Sequence, residues 1–160
     1  MMKRIALAAA VVATALPALA HGNERGAAKA TVAGKAITVD YGRPMLKGRD
    51  MLGQAEVGKP WRMGADAATT LKTEADLLFG EVALPKGEYV LTATKLADDK
   101  WQLSLALASD HSKVSAVPLT FSRLDASVET FTIELAGDAA HGEFTMKWGT
   151  TALKAGFSGK

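Results

Sequence analysis

Cysteine is absent from the 160 residues. That excludes disulfides, thiol chemistry, thiolate metal sites and lipid attachment at a processed cysteine. Histidine is scarce, with only three copies in the chain. These are His21, His111 and His141, and the last two sit in turn-like, polar surroundings. No Gly-x-Ser-x-Gly elbow is present, so a serine triad has no basis in the sequence. Gly42, Gly48, Gly53 and Gly58 precede no helix-forming segment, which excludes a phosphate loop of the usual kind. The single long apolar run, residues 5–20, is shorter than the ~20 residues a spanning helix needs.

What is there begins at the N-terminus. Met1-Met2-Lys3-Arg4 is a short positive stretch before the apolar run, and Ala18-Leu19-Ala20 closes that run with small residues at two spaced positions. Together these describe a secretory signal over residues 1–20. The expected location is periplasmic or secreted, with no membrane attachment once the signal is cut. Cleavage after Ala20 removes Lys3 and Arg4, which takes Lys+Arg from 19 to 17 against 17 Asp+Glu. A neutral mature chain carries no electrostatic footprint for nucleic acid or for an acidic membrane surface. About 140 residues suit one domain with a core large enough to stand without crosslinks. Residues 21–29 are small, polar and Gly-containing, and predict a flexible leader before a single domain over 30–160.

From there the apolar period is two. Ile37, Val39 and Tyr41 alternate with polar neighbours, as do Tyr89, Leu91 and Ala93, then Trp101, Leu103, Leu105 and Leu107. Val117, Leu119 and Phe121, then Phe131, Ile133 and Leu135, then Phe144, Met146 and Trp148 repeat the pattern. Such alternation marks strands with one buried face. Leu84-Pro85-Lys86-Gly87, Asp98-Asp99 and Gly137-Asp138 punctuate them as turns. The pattern predicts an all-β, antiparallel β-sandwich of about seven to nine strands. Only the Ala-rich stretch from Ala65 to Ala68 suggests a helical turn.

Residues 42–66 do not follow this period. Compact domains seldom carry irregular connections longer than about 15 residues, and those that occur are often functional. This one is Arg- and Gly-rich. Arg43, Arg49 and Arg62 predict either of two roles. As a structural cap, they bind carboxylates and main-chain carbonyls while Trp61 plugs the core. As a site, they line a pocket for a small anionic or sugar-like ligand, with Trp61 or Tyr41 as a stacking face and Asp66 or Asp40 as an acceptor. The candidate ligand-binding residues are therefore Arg43, Arg49, Trp61, Arg62 and Asp66.

These residues also carry a resemblance. Tyr41-Gly42-Arg43-Pro44, Lys47-Gly48-Arg49, Gly58-Lys59-Pro60-Trp61-Arg62, Gly64-Ala65-Asp66, Ala68-Thr69-Thr70 and Leu84-Pro85-Lys86-Gly87-Glu88-Tyr89 occur in that order. The series resembles the domain of unknown function 2911 family of exported bacterial proteins, over residues 36–105. The resemblance implies export and a compact β-rich domain. It implies no activity, no cofactor and no catalytic residue.

Two further readings remain beside a ligand-binding domain. A cell-envelope hydrolase would use a carboxylate beside the loop, Asp40, Asp50, Glu56 or Asp66, as general base. A copper-binding protein would use His21, made N-terminal by cleavage, through its amine and ring together. No other metal ligand set and no cofactor is expected, and the expected partner is a small molecule.

Overall fold

The computed structural model describes residues 23–160. The expected signal over 1–20 and the candidate ligand His21 lie outside the described residues. Ten strands follow in chain order: β1 (Glu24–Val32), β2 (Lys35–Arg43), β3 (Pro60–Trp61), β4 (Thr70–Thr73), β5 (Leu77–Phe79), β6 (Val82–Leu84), β7 (Gly87–Ala97), β8 (Lys100–Leu107), β9 (Asp110–Gly137) and β10 (His141–Gly159). No helix occurs among the described residues.

The strands hydrogen-bond in the order β1-β2-β4-β7-β8-β9-β10-β5-β6, and β3 pairs separately with β7. Every strand pair is antiparallel. The all-β antiparallel expectation therefore holds. The two layers of the sandwich are halves of one continuous sheet. β9 is the strand common to both. Its first part, from Asp110 to Leu119, pairs with β8, and the remainder pairs with β10.

The sheet folds back so that its first strands return over the second half of β9. The Tyr41 hydroxyl donates to the Ile133 carbonyl at 3.3 Å. A Cβ added to Gly137 would lie 2.6 Å from the Thr31 carbonyl oxygen, so β1 passes very close to the end of β9. Between the layers, Ile37, Leu71, Leu91 and Leu103 meet Phe131, Phe144 and Met146, all essentially without exposed surface. These are the inward positions of the period-two pattern. Burying each such side chain is worth about 1.5–3 kcal/mol.

Three local expectations are corrected. The leader is ordered strand from Glu24 on. Ala28 and Val32 face the core, and β1 pairs with the whole of β2 through a turn at Ala33 and Gly34. Both turn residues take positive φ, 52° and 73°, which fits a two-residue hairpin. The stretch from Ala65 to Ala68 forms no helical turn, since Asp66 has a φ of 65° and the chain bends there. Finally, the strands expected around Phe121 and Phe131 are one. Residues 122–130 continue β9 with most side chains exposed, which hides the alternation.

Candidate functional site

The Arg- and Gly-rich connection between β2 and β4 is a defined cap. Leu46, Leu52 and Met63 are buried beneath it. Its first part docks on β9, where the Phe131 amide donates to the Pro44 carbonyl at 2.9 Å and the Leu46 amide to the Glu129 carbonyl at 3.0 Å. Its middle docks on β7, where the Gly58 amide donates to the Lys95 carbonyl at 2.8 Å. Its last part lies on β2 at Gly42. A Cβ there would sit 2.1 Å from the Ala65 carbonyl oxygen, so only glycine permits the approach. The Thr69 hydroxyl closes that end by donating to the Met63 carbonyl at 2.6 Å.

The five residues singled out from the sequence separate within this cap. Arg43 reaches β9, where Nε donates to the Phe131 carbonyl and a terminal nitrogen to Thr132 Oγ1, both at 3.4 Å. Its other terminal nitrogen pairs with Glu24 at 3.3 Å. Arg62 donates to the main-chain carbonyl of Asp66, and the Asp66 carboxylate accepts the Asn23 amide at 3.0 Å. Those two are brought together. Arg49 lies apart, with Nε on the Leu46 carbonyl at 3.4 Å. Trp61 turns toward the core, stacked on Trp148 at 5.7 Å and edge-on to Phe131 at 5.2 Å. The carboxylates beside the loop are also engaged. Asp40 pairs with Arg25, Glu56 with Lys59, and Asp50 accepts the Gly53 amide.

A cleft of about 350 Å³ opens where the cap meets the β7–β8 hairpin. Asp50 and Gly53 supply its cap side, Asp98 and Asp99 its hairpin side, and Arg123 of β9 its far side. Trp101 and Phe121 contribute apolar surface at the base. The Arg123 guanidinium lies 5.8 Å from the centre of the Phe121 ring, within reach of a cation–π contact.

Lys95 organises this cleft. It continues the inward series Tyr89, Leu91 and Ala93 of β7, so its side chain starts on the buried face and is 9% exposed. A buried ammonium needs partners. Lys95 Nζ donates to the Gly53 carbonyl at 3.1 Å and lies 3.9 Å from an Asp98 carboxylate oxygen. One residue thus holds the cap to the sheet twice, by its own carbonyl at Gly58 and by its ammonium at Gly53.

A second cleft, about 290 Å³ and more apolar, is lined by Met51, Gln54, Ala55, Pro60 and Trp61, and shares Leu52 with the first. Arg43, Arg62 and Asp66 line neither. Sequence reasoning missed Lys95 and Arg123 and took Asp98-Asp99 for a turn alone. The available signal was a lysine in phase with the buried face of a strand. Among the described residues no three His, Cys, Asp or Glu side chains converge as a metal site.

A family model described as protein of unknown function (DUF2911) matches residues 24–157. The match covers nearly all the strands, well beyond the blocks between 36 and 105. No curated protein and no solved structure matches the chain.

Proposed function

The chain belongs to the domain of unknown function 2911 family, and because that description names no activity, we propose a function from the cleft itself: an exported domain that binds a small sugar-like ligand between the cap and the β7–β8 hairpin. Export rests on the positive stretch, apolar run and small-residue site within residues 1–20.

The observation that carries the binding reading is the buried Lys95 latched to the Gly53 carbonyl at the cleft wall. It fixes the cap side of the cleft before any ligand arrives, and a preformed site loses less entropy on binding. The remaining chemistry selects the ligand class. Asp50, Asp98 and Asp99 offer acceptors, and Arg123 offers donors over an apolar ring. Interleaved donors and acceptors suit hydroxyl groups, which both give and accept hydrogen bonds. The carboxylates outnumber Lys95 and Arg123, so a small anion is the poorer fit.

Calorimetric titration with neutral monosaccharides, and with citrate and phosphate as anionic controls, tests this. Neutral sugars bind, and Asp99→Asn and Arg123→Ala each weaken them roughly tenfold, the scale of one charge-assisted hydrogen bond. Both residues are exposed, so the thermal midpoint stays in place. Binding of citrate or phosphate without sugar, or of nothing at all, overturns the proposal.

A further inference from the structure

The cleft does not end at Asp50. Asp50 and Thr150 also line a further cleft of about 400 Å³, walled by Leu46, Arg49, Ser127 and Glu129. The two spaces therefore adjoin across one pair of residues. Their common floor is the irregular part of the β9–β10 pairing. β10 runs from Lys147 to Thr151 while β9 runs from Thr132 back to Arg123, with register shifts on both sides of Gly149. β9 carries the extra residues, so its backbone must arch away from its partner. Arg123 stands at one foot of that arch and lines the first cleft, and Ser127, just inside the other foot at Val128, lines the further one. Gly149 takes a φ of 60° at the centre, and a Cβ there would approach only Leu46, at 3.8 Å.

This further cleft repeats the chemistry of the first. Arg49 uses Nε on the Leu46 carbonyl, which leaves the terminal nitrogens of a five-donor group for a ligand. Glu129 supplies a carboxylate, with one oxygen on the Lys47 amide at 3.0 Å. Each cleft thus offers one guanidinium, at least one carboxylate, and a threonine at the shared boundary.

We infer that the two clefts are consecutive subsites of one groove, and that its ligand is a linear oligosaccharide of two or more units. This rests on the sugar reading of the first cleft and names the size class of its ligand. A repeated donor-and-acceptor pattern along a groove matches a repeated unit in a chain. A peptide fits less well. β9 and β10 pair with each other on either side of the arch, at Gly149 with Val128 and at Thr151 with Arg123, so the groove floor offers only the few arched residues between them and no long strand edge for an extended backbone.

The test is calorimetric titration with glucose and N-acetylglucosamine, each beside its linear dimer, trimer and hexamer. The dimer or trimer of the preferred sugar binds at least tenfold more tightly than its monomer. Arg49→Ala, and separately Ser127→Trp to fill the cleft beside Arg49 from its other wall, return the oligomer to monomer affinity and leave the monomer unchanged. Equal affinity for monomer and oligomer overturns the groove and leaves the single-sugar cleft standing. Absence of binding by every sugar overturns both, as does preferential binding of an unstructured peptide.

Discussion

The Lys95 ammonium lies 3.1 Å from the Gly53 carbonyl oxygen, and the Lys95 carbonyl accepts the Gly58 amide at 2.8 Å. A single strand residue therefore fastens both ends of a short piece of the cap. Few apolar contacts do this job. Within that piece Ala55 is only partly buried and Val57 is largely exposed.

Lys95→Met keeps the length of the side chain and removes the donor. The Gly53 carbonyl then loses its partner, at a cost of about 1–3 kcal/mol. Chemical denaturation should show that loss, and amide exchange should rise at Gly53 and Gly58 more than in β8. An unchanged midpoint with unchanged exchange would mean that the latch holds nothing.

Arg43 and Arg62 should behave differently although the sequence treats them alike. Arg43 ties β2 to β9 through two acceptors and to β1 through Glu24, and keeps only 27% of its side chain exposed. Arg43→Ala should lower stability by about 1.5–3 kcal/mol, the scale of a charged hydrogen bond. Arg62 is exposed and, among the described residues, bonds only within its own bend. Arg62→Ala should fall within about 0.5 kcal/mol of the wild type. Paired urea melts decide the matter, and equal losses would refute this assignment.

Asp138 sets a pH dependence at the β9–β10 turn. Its carboxylate accepts the Ala140 amide at 2.8 Å and the His141 amide at 2.7 Å, and these hold its pKa below the ordinary carboxylate value. The Ser112 hydroxyl, then the Ser112 amide, do the same for Asp110 at the β8–β9 turn. Depressed values in the folded state mean that both turns are fully supported above the ordinary carboxylate range. The support fades as pH falls through the lowered folded values. Carbon-detected NMR titration should place both midpoints below about 3.9, the value for free aspartate. Midpoints at or above that value would contradict the turn geometry.

The parts of the fold that were legible from sequence are those where burial enforces a two-residue period. Leu91, Leu103, Phe131 and Met146 each lie inward, as the alternation requires. The edge strand β1 is hidden because its inward residues are mostly small, Gly26, Ala28 and Ala30 before Val32, and a run of small residues reads as a tail. The middle of β9 is hidden because most side chains of residues 122–130 are exposed, so no apolar alternation marks the strand. The defined, docked form of residues 42–66 was legible from their glycines and arginines. The cleft was not, since it draws one side from that cap and the others from β7, β8, β9 and β10. Lys95 looks like any surface lysine until the register of β7 places it inward.

The 28-residue β9 serves both layers, so neither layer can peel away while the other survives. Hydrogen bonds along its length tie the fate of Trp101 to that of Phe144. Partial melting should find no stable halfway state. Because β1 rests on strands completed last in the chain, refolding must await long-range closure and runs slowly for a protein of this size.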